Sequence, residues 1–186
     1  GPYQNENVRS FHKFAVPLND YLLNQDYFIV PFHTIRPRPV PEPIFVKPLS
    51  GLKQFTGKVI TPDNFNDTIQ TITQYEKIDD DLLCVVSSVK DIKAEFRYVI
   101  ADRKVITGSE YRWDNILDVR IDTLPECDIL AEKIASLEWQ ADTVYVCDIA
   151  MTNEGPKVIE LNSFSSSGLY ACDTRKIVKA VADAAT

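Results

Sequence analysis

Two neighbouring segments in the C-terminal third of the chain constrain its fold more than any other feature. Residues 143–151 and 157–162 show the short, apolar and alternating patterns that are typical of β-strands. Between them stands Asn153-Glu154-Gly155-Pro156, whose residue types favour a turn. Strands that a short turn connects pair in the antiparallel sense. The chain is therefore expected to contain an antiparallel sheet built around this hairpin.

The alternation of side chains in this hairpin predicts a cluster of oxygen ligands. Asp148 shares a face with Val146, and Val158, Glu160 and Asn162 share a face of the next strand. Pairing of the two strands would bring the two carboxylates together, where they repel each other unless a cation lies between them. All-oxygen ligation suits a hard ion such as Mg²⁺. A solvated sheet face with scattered polar groups explains the local pattern equally well.

The rest of the pattern is that of an α+β protein. Helices are predicted to begin at Asp63 or Asn64 and at Pro125, where capping residues or a first-turn proline precede apolar residues at helical spacing. A tight turn at Asp102-Arg103 joins two alternating segments into a second hairpin. The predicted strands cover residues 44–47, 57–60, 82–89, 95–101 and 104–107, and a last helix covers residues 173–185.

A second polar set lies in the strand that begins at Glu95. Glu95 and Arg97 share a face, and either a simple cross-strand ion pair or a phosphate clamp explains an arginine there. Lys47, followed by Pro48, and Lys53, in a loop, are further candidate phosphate contacts. Isolated lysines are usually solvated surface groups, so these two carry little weight alone. Tyr111 and Arg112 follow the second hairpin and are predicted as substrate contacts.

Composition excludes several classes of function. The 186 residues are 45% hydrophobic and 25% charged, which fits one domain or two small lobes. A formal net charge of -7 argues against a dedicated nucleic-acid binder. No apolar run approaches the roughly 20 residues that cross a bilayer, and no signal peptide is recognisable, so a soluble cytoplasmic protein without membrane contact is expected. The four cysteines are widely spaced and are predicted to be reduced, buried thiols.

Taken in order, these segments resemble the ATP-grasp superfamily, in particular its phage and bacterial branch marked by one arginine and two lysines. The resemblance runs from about residue 31 to the C-terminus. Its segments are Ile44-Phe45-Val46-Lys47-Pro48, residues 51–57, Ala94-Glu95-Phe96-Arg97, Asp148 with residues 158–164, and the trailing residues 165–170.

This resemblance implies an ATP-grasp fold, in which two α+β lobes with antiparallel sheets clasp ATP between them. The strand over residues 83–89 would end in a hinge whose backbone contacts the adenine. The implied ATP contacts are Lys47, Lys53, Ser87, Ser88, Val89, Glu95 and Arg97, with Arg97 and Lys53 also catalytic. Asp148, Glu160 and Asn162 would hold one or two Mg²⁺ ions.

The implied reaction is carboxylate-amine ligation through an acyl phosphate, with a small-molecule or peptide carboxylate and an amine as substrates. Such chemistry depends on positioning and fixed charge. Residues 44–186 would form the ATP-grasp domain. Residues 1–43, with a proline-rich connector, would be a remnant of the region that precedes it in many relatives. Either a longer chain has been trimmed or the substrate site is reduced.

Two other functions stay open at this stage. One is a nucleotide-binding or partner-binding module that keeps the fold without ligation, and the other is a small-molecule kinase that stops at phosphoryl transfer. A product that forms without an amine would single out the kinase. The sequence indicates neither the identity of the substrates nor the oligomeric state.

Overall fold

A computed structural model describes residues 10–51, 54–76 and 78–184. Its contacts divide the chain into two compact units. The larger unit comprises Gly1–Leu23 together with Asp91–Thr186, and the smaller unit comprises Asn24–Lys90. Each unit is built around one antiparallel sheet with helices packed against it, so the α+β fold class predicted from the sequence is confirmed.

The larger unit contains a five-stranded sheet. In spatial order its strands are β7 (Ile116–Arg120), β6 (Lys104–Trp113), β5 (Ile92–Ala101), β8 (Val144–Thr152) and β9 (Gly155–Ser163). Both predicted hairpins are present. Positive φ angles at Asp102 and Arg103 form the tight turn between β5 and β6, and Gly155, with a φ of 99°, follows the turn between β8 and β9.

Two helices cover the sheet of the larger unit. Helix α4 (Pro125–Ser136) buries Leu130 and Ile134 and packs against β5, β6, β8 and β9. Helix α5 (Thr174–Ala184) contacts β5 and β6, and its Ile177 joins a core cluster with Val99, Val146 and Cys172. Tyr98, next to Val99 in β5, donates its hydroxyl to Asp128 of α4. The two helices therefore lie on opposite faces of the sheet, because successive strand residues point to opposite faces.

The smaller unit contains a four-stranded sheet. In spatial order its strands are β1 (Phe28–Pro31), β4 (Leu83–Ser88), β2 (Ile44–Pro48) and β3 (Lys58–Ile60). Short helices α2 (Phe32–Ile35) and α3 (Phe65–Gln70) belong to this unit, and α3 continues into a wider turn over Thr71–Tyr75. The predicted helical residues Phe65, Ile69 and Ile72 are all buried in its core.

Three further features bear on the sequence predictions. A helix α1 (Phe11–Ala15) and a 3₁₀ turn (Asn19–Tyr21) precede β1. All four cysteines are free and buried, as predicted. Across the described ranges, none of the helices combines the length and the apolar character that a membrane crossing requires.

Candidate functional site

The three predicted oxygen ligands lie together on the β8–β9 hairpin. Asp148 is directly opposite Glu160, and Val146 is opposite Asn162. The side-chain amide of Asn162 donates from Nδ2 to Asp148 Oδ2 at 3.2 Å and to Glu160 Oε1 at 2.9 Å. One donor therefore bridges two carboxylates from adjacent strands, and the predicted convergence of these side chains is confirmed.

A β-bulge in β9 sets this arrangement. Asp148 pairs with Glu160, whereas the next residue, Ile149, pairs with Val158, so Ile159 is the extra residue of β9. Val158 is fully buried opposite Ile149, on the face that Glu160 does not share. The prediction that Val158 lies on the face of Glu160 is therefore wrong, because the bulge reverses the alternation at that point.

Asp148 also forms a buried ion pair with Arg97. Arg97 donates from Nε to Asp148 Oδ1 at 2.8 Å and from Nη2 to Oδ2 at 2.7 Å, while its Nη1 donates to the carbonyl of Gly168 at 2.8 Å. Arg97 is directly opposite Asp148 in the β5–β8 ladder. All three guanidinium nitrogens thus donate to protein oxygens. The partner of Arg97 is Asp148, and the cross-strand ion pair considered from the sequence is formed in this way.

Burial shapes the protonation of this pair. Asp148 is 1% exposed, and burial raises its pKa to about 6 although the guanidinium of Arg97 acts to lower it. Burial would lower the pKa of Arg97, but the bonds to Asp148 raise it above its ordinary value. A buried charge without a partner is costly, so each member of the pair depends on the other.

Glu95 lies beside the pair on the same face of β5. Its carboxylate accepts a 2.6 Å hydrogen bond from the hydroxyl of Tyr111 and lies 3.4 Å from Arg112 Nη1. Burial raises the pKa of Tyr111 well above its usual range, and the negative charges of Asp148 and Glu95 raise it further. The face therefore gathers three carboxylates and two guanidinium groups, and Tyr111 and Arg112, singled out from the sequence, both contact it.

The remaining predicted nucleotide contacts belong to the smaller unit. Lys47 is opposite Val85, and Ser87 is opposite Phe45, so strand alternation places Lys47 and Ser87 on one face of that sheet. Ser87 is 3% exposed, and Ser88 donates its amide to Asp26 at 3.1 Å. Val89 follows the end of β4 and is 41% exposed. Lys53 lies outside the described residues.

The residues at the hairpin suit a hard divalent cation. Asn162 Nδ2 already supplies partial positive charge between Asp148 and Glu160, which is the position that a cation between two carboxylates would fill. The amide of Asn162 also carries an acceptor oxygen. Two carboxylates and an amide oxygen form a donor set typical of Mg²⁺. Within residues 10–51, 54–76 and 78–184, no group of three or more His, Cys, Asp or Glu side chains is arranged to hold a metal, so the amide is needed.

Sequence reasoning missed two contributors to this face. The carbonyl of Gly168 holds Arg97, and the ring of Tyr170 stacks on that of Tyr111 with centroids 4.7 Å apart. Both residues belong to the trailing segment that was noted only for its resemblance. The sequence offers no periodic pattern there, since residues 167–173 form an irregular connection between β9 and α5.

Comparison with solved structures gives the fold. A RimK domain ATP-grasp protein from Sphaerobacter thermophilus superposes with a TM-score of 0.61 at 15% identity, covering 96% of this chain and 64% of that chain. The D-alanine–D-alanine ligase from Bacillus anthracis gives 0.61 at 16%, with 95% and 62% covered. The ATP-grasp ligase PsnB, complexed with its minimal precursor, gives 0.60 at 16%, with 100% and 62% covered. The chain thus spans less than two thirds of each of these proteins.

Comparison by sequence gives the family. No curated protein sequence matches the chain. The model of an ATP-grasp domain, family 2 of the clade named for one arginine and two lysines, matches residues 23–180, which is most of the chain. The two antiparallel α+β units agree with that fold. The chain therefore belongs to the ATP-grasp superfamily, in the second family of that clade.

Proposed function

We propose that this protein is an ATP-dependent carboxylate-amine ligase that uses Mg-ATP and forms an acyl phosphate. The observation that carries the proposal is the meeting of Asp148 and Glu160 at the amide of Asn162 on the central hairpin of an ATP-grasp unit. Support comes from the relatives, which include a D-cycloserine synthetase and a D-alanine–D-alanine ligase solved with ATP.

Asp148, Glu160 and Asn162 would hold Mg²⁺. A magnesium ion bound there would neutralise the charge that develops on the transferred phosphoryl group. The residues themselves contribute fixed geometry, because paired strands hold all three side chains. A preorganised site avoids reorganisation at the moment of reaction.

Arg97 acts in this proposal through Asp148. Its bidentate bond fixes the orientation of that carboxylate, and its bond to Gly168 fixes Arg97 in turn. This is a positioning role. The catalytic role predicted for Arg97, with direct contact to the phosphoryl group, stays a prediction and would require the guanidinium to redistribute its hydrogen bonds.

The ATP contacts predicted on the smaller unit complete the proposal. Lys47 would bind the phosphates of ATP, Lys53 would close over them, and residues 87–89 would contact the adenine. Glu95 would border the same site from the larger unit. These roles stay predictions, as do the phage or bacterial branch, the cytoplasmic location and the small-molecule or peptide nature of the carboxylate and the amine.

The test is a coupled assay of ADP and phosphate release with a crossed panel of carboxylic acids and amines. We expect release that requires Mg²⁺, an acid and an amine together. The Glu160→Gln variant should lose it, because the amide removes a negative ligand while keeping the shape of the side chain. Asp183→Asn, on the exposed face of α5 in the same unit, serves as the matched control and should keep full activity.

Three outcomes would count against the proposal. No stimulation by any acid and amine pair would remove ligation as the function. A phosphorylated product that needs no amine would indicate a kinase. Tight binding of ATP without any turnover would indicate a binding module that has kept the fold.

A further inference from the structure

The connection between β9 and α5 closes over one side of the candidate site. Gly168 accepts from Arg97 Nη1 at 2.8 Å, and Asp173 donates its amide to Thr107 at 3.0 Å. Cys172 is buried, with its Sγ 3.5 Å from the hydroxyl of Ser109. These contacts attach the connection to β5 and β6, so the position of Tyr170 within it is fixed.

Tyr170 forms an aromatic pair with Tyr111. The two rings are 4.7 Å apart between centroids and 8° from parallel. Tyr111 is 7% exposed, and its hydroxyl is bound to Glu95. Tyr170 has a φ of 49°, a left-handed backbone conformation that non-glycine residues rarely adopt. This conformation, with glycine only two positions earlier at Gly168, directs a large aromatic side chain onto the site.

The outer face of the Tyr170 ring is not covered by Arg97. The guanidinium carbon lies 4.8 Å from the Tyr170 centroid and 5.5 Å from the Tyr111 centroid. With the rings 4.7 Å apart, these three centres form a nearly equilateral triangle. Arg97 and Tyr111 therefore lie on the same side of Tyr170. The side chain is still 44% exposed, so its opposite face is the surface available to a ligand.

We propose that Tyr170, supported by Tyr111, is a specificity-determining platform on which a planar aromatic group of the amine substrate stacks. This inference rests on the proposed ligase function and names a class for one of its substrates. The platform adjoins the reacting region because Arg97, in contact with Tyr170, is bonded directly to Asp148.

The charge around the platform favours the amine over the carboxylate. Tyr111 is close enough to Asp148, Glu95 and Glu160 for all three carboxylates to raise its pKa, after the larger effect of burial. Arg97 is already neutralised by its bidentate bond to Asp148. An arriving carboxylate would be repelled by this surrounding, whereas a protonated amine would be attracted to it. Offset stacking on a parallel aromatic pair then selects a flat group over a bulky one.

A matched pair of amines tests the proposal. The probes are 2-phenylethylamine and 2-cyclohexylethylamine, which share an ammonium group, a two-carbon linker and a six-membered ring, but only the first is flat. Dissociation constants are measured by ligand-observed NMR with Mg²⁺ and ADP present, for wild type, Tyr170→Phe and Tyr170→Leu. We expect wild type to bind the phenyl probe roughly three- to tenfold more tightly than the cyclohexyl probe. Tyr170→Phe should keep this ratio, and Tyr170→Leu should lose it.

Simple burial predicts the opposite result, because the saturated ring is the more hydrophobic of the two. A wild-type ratio of one or less, a ratio unchanged in Tyr170→Leu, or no binding of either amine would overturn the platform. The wild-type ratio alone decides the matter if Tyr170→Leu does not fold. Mg-ADP binding is measured in the same samples, so a failure of the nucleotide site is seen separately from a failure of the platform.

Discussion

Removing Arg97 should destabilise the larger unit strongly, because its charge is the partner of a buried carboxylate. The side chains of Arg97 and Asp148 are 10% and 2% exposed, and two bonds of 2.8 and 2.7 Å join them. Breaking a buried pair from one side typically costs about 3–5 kcal/mol. For a chain of this size that corresponds to a fall in Tm of roughly 6–20 °C. We therefore expect Arg97→Met to be among the most destabilising single substitutions in this unit.

Urea unfolding followed by tryptophan fluorescence measures this effect, since Trp113 and Trp139 both lie in the larger unit. The control is Lys179→Met, which breaks an exposed ion pair to Asp183 on α5 and should cost less than about 0.5 kcal/mol.

The double variant Arg97→Met/Asp148→Leu completes the cycle. It should be more stable than Arg97→Met, because no unpaired charge remains buried. A cost for Arg97→Met no larger than that of Lys179→Met, or a double variant whose cost is the sum of the two singles, would refute the argument.

Two further predictions concern packing and pH. Gly108→Ala should destabilise the larger unit by about 1–3 kcal/mol, because its new Cβ would lie 2.6 Å from the ring of Tyr98, whereas Gly168→Ala, with no atom within 4 Å, should change the unfolding free energy little. Equal urea midpoints for the two variants would contradict this. The pKa of Asp26 is lowered to about 2, by its bonds to Lys90 and the neighbouring strand acting against burial. This contribution to stability is present above the ordinary pKa of about 4 and is lost as the pH falls toward 2. The advantage of wild type over Asp26→Asn in thermal unfolding should shrink over that range, and a constant or growing difference would show the assignment to be wrong.

The convergence at the hairpin could be predicted because it depends on local information. A turn at Gly155 and strand alternation are enough to bring Asp148 near Glu160 and Asn162. The bulge at Ile159 carries no comparable signal, since an apolar β-branched residue fits a regular strand equally well. Glu160 and Asn162 were nevertheless placed correctly, because both follow the bulge.

Contacts between distant segments could not be predicted in the same way. Arg97 and Asp148 are separated by 51 positions, and only the pairing of β5 with β8 brings them together. The length of β6 was also underestimated. The predicted strand ended at Thr107, yet β6 continues through Gly108 to Trp113. Glycine usually weakens a strand, but here the space beside Gly108 is filled by the ring of Tyr98.

The central claim is that Asp148 and Glu160, with Asn162, hold the magnesium of Mg-ATP. Calorimetric titration of ATP into wild type and Asp148→Asn/Glu160→Gln, each with Mg²⁺ and with a chelator, tests it most directly. We predict that wild type binds ATP tightly only when Mg²⁺ is present, and that the variant shows the same weak binding with and without it. Undiminished, Mg²⁺-dependent binding by a folded variant would contradict the account.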